Sequence, residues 1–494
     1  MVRRRFLALF CAIAASGSAT QGVALADEFR CVFSVTQETF SPPAAGVAAG
    51  AVASNPSAGI AAASRKVTET FRLTIGLNKE YLTEQRDQSP EILVIHFPSR
   101  RVYTLDRKSK TYRESSLHAH VAFRVNELIS RLAVGAGMKA AKQSGAAWQP
   151  PPGVSATFAA KALDQFRAES LFAVRLPKGA QWNDSPTSTP VASGKGWEFH
   201  YQGEPVAKFT PSESQVPDAF RRGLLHFLVH RCQIHPTIRD RVMGSGAWPE
   251  SLWFQTTDLP CEKVVSLKLV SASIATTADA WAGVPADFTP RFDPNDPLDR
   301  ILAKLRALRS AMPKPDAEAA ADRATLEKFV DESLKRNHVL DAYLAWYEYN
   351  ARTGDDADVI LDRIHATNSP QLQDFLRQDV ANVAEGAEKK LRELNAIDRK
   401  GLSRGHVIDV FRGALLTLLN RPDEANQQFL KALDVNPLLT SVYVLLGTNH
   451  FRSMATEEAW RCFDAAKRIN PASPSLADVR ALETRFERDF PEAF

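Results

Sequence analysis

Three histidines and one cysteine form the most suggestive cluster of reactive side chains in the sequence. His226 and His230 stand one helical turn apart, and Cys232 and His235 follow shortly after. Imidazoles at positions i and i+4 lie on one face of a helix, where both can bind a single zinc ion. The residues between them are Phe-Leu-Val, so the glutamate that acts as general base in zinc hydrolases is missing. The stronger interpretation is structural, because a histidine near a helix C-terminus also complements the helix dipole.

The rest of the sequence shows no arrangement typical of catalysis. It contains neither a Gly-x-Ser-x-Gly elbow nor a phosphate-binding loop, and no pair of carboxylates stands out by its spacing. The net charge is only +4, without the strongly basic face that nucleic-acid binding needs. We therefore expect a protein without cofactor, nucleic-acid partner or enzymatic activity; a cell-envelope hydrolase with an unidentified site is the alternative.

Alternating strand patterns surround the histidine cluster and define a first domain, residues 27–281. The pattern is clearest at Phe29, Cys31, Phe33 and Val35, which share one face of a predicted strand. Further strands and a few helices follow without strict alternation. The sequence predicts a multidomain protein whose N-terminal α+β domain contains an antiparallel sheet.

Export is indicated by the first 26 residues. Arg3, Arg4 and Arg5 precede a short apolar run, and Ala24-Leu25-Ala26 is typical of a cleavage site. No later stretch is long and apolar enough for a transmembrane helix. The signal peptide 1–26 predicts a soluble periplasmic protein, or otherwise a secreted one.

An oxidising compartment would permit disulfides. Four cysteines follow the predicted cleavage site: Cys31, Cys232, Cys261 and Cys462. We predict one bridge among the first three, with Cys232–Cys261 favoured. Buried, unpaired cysteines are the alternative.

The second half is predicted to be helical. Residues 282–297 contain four prolines and predict a linker, residues 298–405 carry amphipathic helical stripes, and residues 472–494 predict a capping helix with a polar outer face. Between them, residues 406–471 match themselves at a spacing of 34, which indicates a helix–turn–helix repeat. The framework positions are Gly413, Ala425, Phe429, Ala432 and Pro437, then Gly447, Ala459, Phe463, Ala466 and Pro471.

At these framework positions the stretch resembles the tetratricopeptide repeat. It departs from that pattern where Asp409 and Tyr443 replace the usual tryptophan, and where Leu416 and His450 replace the usual tyrosine. The resemblance implies a superhelical solenoid. Because about three repeats are needed for stability, we expect the helices of 298–405 to be degenerate repeats that extend it.

The resemblance also implies a binding groove formed by the first helix of each repeat. Its residues are small or apolar and include no Lys/Asn clamp: Val407, Val410, Ala414, Thr417, Ser441, Val444, Thr448 and Phe451. We predict that the groove binds an apolar segment or helix of a partner protein, or packs on the N-terminal domain.

A second, looser resemblance concerns the hairpin at 102–114. Long strands and this hairpin resemble the half-barrel of periplasmic lipoprotein carriers, which implies lipid or lipoprotein binding; a sheet with an ordinary filled core is the alternative. Basic residues crowd the hairpin and favour either contact with an anionic lipid or glycan, or a solvated edge. The leading hypothesis is an exported, non-enzymatic interaction or scaffold protein of the cell envelope.

Overall fold

The computed structural model describes residues 28–41, 65–145, 186–191, 194–258, 261–275, 283–311, 315–376, 383–397 and 399–494. A sheet-rich N-terminal region, the sheet module, precedes a helical C-terminal region, the helical module. The predicted signal peptide lies outside the described residues. Among the helices that are described, none combines the length and apolarity required to cross a bilayer.

The sheet module is built on one continuous sheet. In chain order its strands are β1 (Glu28–Ser41), β2 (Arg65–Leu77), β3 (Tyr81–Arg86), β4 (Glu91–His96), β5 (Arg101–Asp106), β6 (Thr111–Ser116), β7 (Thr187–Pro190), β8 (Trp197–Tyr201), β9 (Glu204–Gln215), β10 (Ala247–Asp258), β11 (Cys261–Ala275) and β12 (Thr289–Pro290). The spatial order is β12-β6-β5-β4-β3-β2-β1-β11-β10-β9-β8-β7. Neighbouring described strands are antiparallel, except for β12, which pairs with β6 in parallel. The first strand therefore lies at the centre of the sheet, between β2 and β11.

Burial along β1 follows the alternation predicted from sequence. Cys31, Phe33 and Val35 are buried, while the residues between them are half-buried. Among the described residues of this module, three helices accompany the sheet: α1 (Leu117–Ser144), α2 (Asp218–His226), which continues as a π-helix over Phe227–Cys232, and α3 (Pro236–Ser245). Phe33 stacks on Phe227 with ring centroids 5.6 Å apart, so the central part of the buried face is filled by side chains.

A glycine permits the close approach of α2 to the sheet. A Cβ atom placed on Gly223 would lie 3.0 Å from the Cβ of Leu77, which is tighter than ordinary van der Waals contact. This approach brings His226 and the π-helix against the edge of the core.

The predicted linker is an ordered part of the molecule. Residues 289–290 form β12 against the edge of the sheet, and Phe288 packs beside Tyr103 and Tyr112. The helical module then comprises α4 (Pro297–Ala311), α5 (Pro315–Lys335), α6 (Val339–Thr353), α7 (Asp358–His365), α8 (Pro370–Leu376), α9 (Val383–Ala396), α10 (Val407–Leu418), α11 (Pro422–Val435), α12 (Thr440–Arg452), α13 (Thr456–Ile469) and α14 (Ala477–Asp489).

The 34-residue period corresponds to two pairs of helices, α10 with α11 and α12 with α13. Gly413 lies directly against the ring of Phe429, and Gly447 lies in the same way against Phe463. The remaining framework residues are buried, except for Pro471, which is exposed. The second helix of each pair ends one residue before the predicted Asn-Pro stop. Small residues therefore let each pair close around a buried ring.

Helix α6 crosses the ends of these pairs instead of stacking beside them. Successive residues of α6 bond to successive helix junctions: Asp341 to Ser403, Glu348 to His406 and Asn436, the Arg352 carbonyl to Thr440, and the Thr353 carbonyl to Asn470. A further repeat would contact only its nearest neighbour. Helix α6 thus differs from the expected degenerate repeat, because it ties both pairs together along one edge.

Candidate functional site

The two modules meet at a charged junction, formed by α13, α14 and residues 490–494 on one side and by β5, β6, α1 and α2 on the other. Arg101 of β5 forms an ion pair with Asp464 of α13 and a second with Glu114, at 3.3 Å. Glu114 also pairs with Arg468, at 2.9 Å. Burial by itself would lower the pKa of Arg101, but Asp464 and Glu114 favour the charged form and leave that pKa raised. The ion pairs therefore hold α13 on the sheet edge.

Helix α14 contributes a second set of contacts through Glu487. Its carboxylate accepts hydrogen bonds from Arg100 at 3.1 Å and from His118 at 2.9 Å. The bond from Arg100, and then the bond from His118, lower the pKa of Glu487. Burial lowers the pKa of His118, although Glu483 and Glu487 oppose that effect. The predicted capping helix therefore faces the sheet module, and its outer face is not solvated throughout as expected.

The segment that follows α14 lies between α1 and α2. Phe490 and Phe494 are buried. The carbonyl oxygen of Phe494 accepts a hydrogen bond from Arg222 at 2.6 Å, and His230 Nε2 lies 3.0 Å from the carbonyl oxygen of Ala493. His230 is therefore a buried structural contact of the junction.

The four residues of the candidate zinc set are not assembled around one point. The rings of His226 and His230 are 6.1 Å apart, and His235 caps α3 by accepting a hydrogen bond from the Thr237 amide. Nowhere in the described part of the chain do three His, Cys, Asp or Glu side chains converge as metal ligands. Burial, together with Arg222 and Arg100, lowers the pKa of His226 to about 3. The positive surroundings disfavour a cation at this place.

His226 is nevertheless unusual within the junction. Both ring nitrogens are buried without a hydrogen-bond partner, and the ring lies against Phe97 with centroids 3.6 Å apart. The imidazole is thus buried beside an aromatic ring and near two arginines, which makes its protonation costly.

Cys232 is a free, buried thiol, in disagreement with the predicted Cys232–Cys261 bridge. Burial raises the pKa of Cys232 to about 12. Cys31 and Cys462 are also free and buried. The alternative stated from sequence, buried unpaired cysteines, describes these three residues.

The predicted repeat groove is accessible only in part. Val407 and Val410 are buried, Ala414 is exposed, and the other five predicted positions are half-buried. The described residues of the sheet module contact the helical module mainly at α13 and α14. Sequence reasoning missed Leu418 and Leu445, which leave 58% and 36% of their surface exposed. Ala414 and Leu418 on α10 and Leu445 on α12 are thus exposed apolar residues of the two first helices, and we call these three residues the repeat face.

A cleft of about 580 Å³ opens between the edge of the sheet, α4 and α13. Six arginines and four carboxylates line it, from both modules and the segment between them: Arg101, Arg113, Arg291, Arg306, Arg461, Arg468, Glu114, Asp299, Glu457 and Asp464. The sequence indicated only its hairpin part, through the basic residues near 100–113. The other arginines are distant in the chain and carry no local pattern.

Comparison with protein-family models, with curated proteins and with solved structures finds no significant match to this chain.

Proposed function

We propose that this chain is an exported, non-enzymatic interaction protein of the cell envelope, whose helical module binds a partner protein. The observation that carries the proposal is the repeat face, where Leu418 and Leu445 are exposed on neighbouring helices. Exposed apolar patches of this kind are typical of interaction sites. The framework glycines and phenylalanines support a tetratricopeptide-like module as the source of this surface.

The partner surface is an apolar helix or segment. The eight groove positions contain no charged side chain, and the three exposed residues of the repeat face are one alanine and two leucines. Such a surface gives no counter-charge to a carboxylate terminus or a phosphopeptide, whereas the apolar stripe of an amphipathic helix can bury leucines at i and i+4. Ala414 and Leu418 have this spacing on α10.

Site-specific photo-crosslinking in cells tests the proposal. A photoreactive amino acid at 414, 418 or 445 is expected to give the same adduct, and the adduct from the probe at 414 is expected to be lost in the Leu418→Asp/Leu445→Asp variant. Val359 on α7 is 67% exposed and apolar but lies outside the repeat face, so the same probe at 359 is the matched control. Equal adducts at 359, or adducts that persist in the double variant, would contradict the proposal.

Export is tested separately by the intact mass of the protein recovered from the cell envelope. We expect the mass of residues 27–494, because cleavage follows Ala26. A full-length mass in the cytoplasmic fraction would contradict the export part of the proposal.

Lipid or lipoprotein binding by the sheet module is the second candidate. A single sheet, antiparallel except for β12, whose buried residues cluster with those of α1, α2 and the π-helix, supports the half-barrel resemblance. The Phe33–Phe227 stack fills the central part of the buried face, so a lipid chain would have to displace the π-helix. Native mass spectrometry of the full chain is expected to show co-purified lipid if this candidate is right, and a single bare mass if it is wrong.

A further inference from the structure

We propose that the cleft between the modules binds a phosphate monoester that carries an apolar group. The cleft has the size of a small-molecule site, for which roughly 300–1,000 Å³ is usual, and such sites occur preferentially between domains. It lies beside α13 and not on α10 or α12, so it is independent of the repeat face.

Half of the arginines are committed to the structure. Arg461 pairs with Asp296 and Asp299 at the start of α4, while Arg101 and Arg468 pair with Glu114 and Asp464 as part of the junction. These pairs connect the three walls of the cleft, which are the sheet edge, α4 and α13.

The other three arginines come from three different segments and face the same space. Arg113 lies on β6, Arg291 follows β12, and Arg306 lies on α4. Within the described residues none of the three forms an ion pair; Arg306 donates only to the Tyr112 hydroxyl, at 3.4 Å. Like charges gathered at one opening repel each other unless an anion lies between them.

The charge balance selects the class of anion. Within the described residues, the three arginines without an ion pair exceed Glu457, the one lining carboxylate outside the ion pairs, by two positive charges. A phosphate monoester carries a charge of about −1.5 to −2 at neutral pH and would neutralise this excess. A carboxylate carries one negative charge and would leave part of the positive charge without a partner. The guanidinium fork also matches two phosphate oxygens at once.

The lining also accommodates an apolar group. Tyr112, Phe292, Leu302 and Leu305 line the cleft together with the arginines. Inorganic phosphate would leave this surface unused, whereas an aromatic or acyl substituent on the ester would cover it. The ester could come from a soluble metabolite or from a lipid that ends in a phosphate monoester, such as a phosphatidic acid, and both supply the same chemistry.

Calorimetric titration of the full chain at low salt, with four probes, tests the ligand class. Phenyl phosphate is expected to bind at least tenfold more tightly than benzoate, which lacks the second charge, and than inorganic phosphate, which lacks the ring. Dihexanoyl phosphatidic acid is the fourth probe. Tighter binding of this lipid than of phenyl phosphate would identify a lipid source, and the reverse order a soluble one. An affinity for benzoate equal to the affinity for phenyl phosphate would overturn the proposal.

Variants locate the site. Hydrogen bonds to charged groups contribute about 1.5–3 kcal/mol, so Arg113→Ala and Arg306→Ala are each expected to weaken phenyl phosphate binding by roughly 10- to 100-fold. Arg107 is exposed on the same hairpin as Arg113 but does not line the cleft, so Arg107→Ala is the matched control and is expected to leave the affinity unchanged. Circular dichroism spectra that match those of the unmodified chain show that each variant is folded. Unchanged affinity in folded Arg113→Ala and Arg306→Ala would overturn the proposal.

Discussion

The two helix pairs have the same framework but different neighbours. In α11, four of fourteen residues are buried, whereas α13, at the same positions 34 residues later, buries eight of fourteen. The additional buried residues of α13 include Trp460, Cys462 and Ala465, and their counterparts in α11 are Asn426, Gln428 and Lys431. The framework therefore specifies how a pair closes, and the remaining positions specify what the pair packs against.

The neighbours explain the difference. Helix α13 lies between the sheet and α14, and the Trp460 indole donates to Glu483 of α14 at 2.8 Å. Helix α11 contacts α4 through exposed side chains, for example in the Lys304–Asp434 ion pair. Positions that carry exposed or half-buried polar residues in α11 therefore carry buried residues in α13.

The largest expected effect comes from removing a buried side chain of α13 whose counterpart in α11 is only half-buried. Trp460→Ala removes a fully buried indole, so we expect a loss of about 3–5 kcal/mol in the free energy of unfolding. Asn426→Ala, at the equivalent position, removes a hydrogen bond to Asn449 and is expected to cost only about 1 kcal/mol. Urea unfolding measures both, and equal losses would contradict the proposed difference between the pairs.

Substitution of the framework glycine is expected to destabilise both helix pairs, but by different amounts. Overpacking costs about 1–3 kcal/mol, which exceeds the gain of about 1 kcal/mol in helix propensity from Gly to Ala. Both Gly413→Ala and Gly447→Ala are therefore expected to destabilise the chain. Gly447→Ala is expected to cost more, because a Cβ there would also lie 3.0 Å from the backbone oxygen of Ala459. Thermal unfolding with both variants in parallel tests the order.

Acid is expected to weaken the junction before it weakens the edge held by α6. The pKa of His226 is about 3 in the folded chain against 6.5 when unfolded, so the unfolded chain binds the extra proton first as the pH falls. Stability is then lost progressively below about pH 7, with a contribution from His226 of about 2 kcal/mol at pH 5. Urea unfolding at pH 7.5 and pH 5.0 measures this loss.

His226→Phe is the matched variant for this measurement, because the imidazole nitrogens have no partner to lose. Its stability is expected to fall less between the two pH values, by about the same 2 kcal/mol. An unchanged pH dependence in this variant would show that His226 does not contribute to acid sensitivity.

The smallest effect is expected at the rim of the junction. Arg468 is more than half exposed, and exposed ion pairs contribute about 0–1 kcal/mol. Arg468→Ala is therefore expected to change stability by less than about 1 kcal/mol, and 1 M salt is expected to remove even that difference. A larger loss would show that Glu114 depends on Arg468 as well as on Arg101.

Local patterns were readable from the sequence, and contacts between distant residues were not. The alternation in β1 and the Gly–Phe spacing of the pairs depend on near neighbours, and both predicted the observed elements. Arg100 meets a residue 387 positions away, Glu487, and nothing in the local sequence marks either one as a partner. For the same reason, the apolar stripe of α6 predicted a helix but did not predict that this helix crosses the ends of the two helix pairs. The arginines of the hairpin likewise predicted a basic surface but not a cleft.

The central position of β1 has a consequence for how the chain acquires its structure. Glu28 pairs with Ala275, so the middle of the sheet cannot close until almost all of the sheet module has been synthesised. At roughly 5–20 residues per second, this delay is on the order of tens of seconds. During that time the edge of β1 that later meets β11 exposes unpaired backbone groups, which invite pairing with other chains. A chaperone that covers nascent strands would act on this edge, and folding of the sheet would follow synthesis instead of accompanying it.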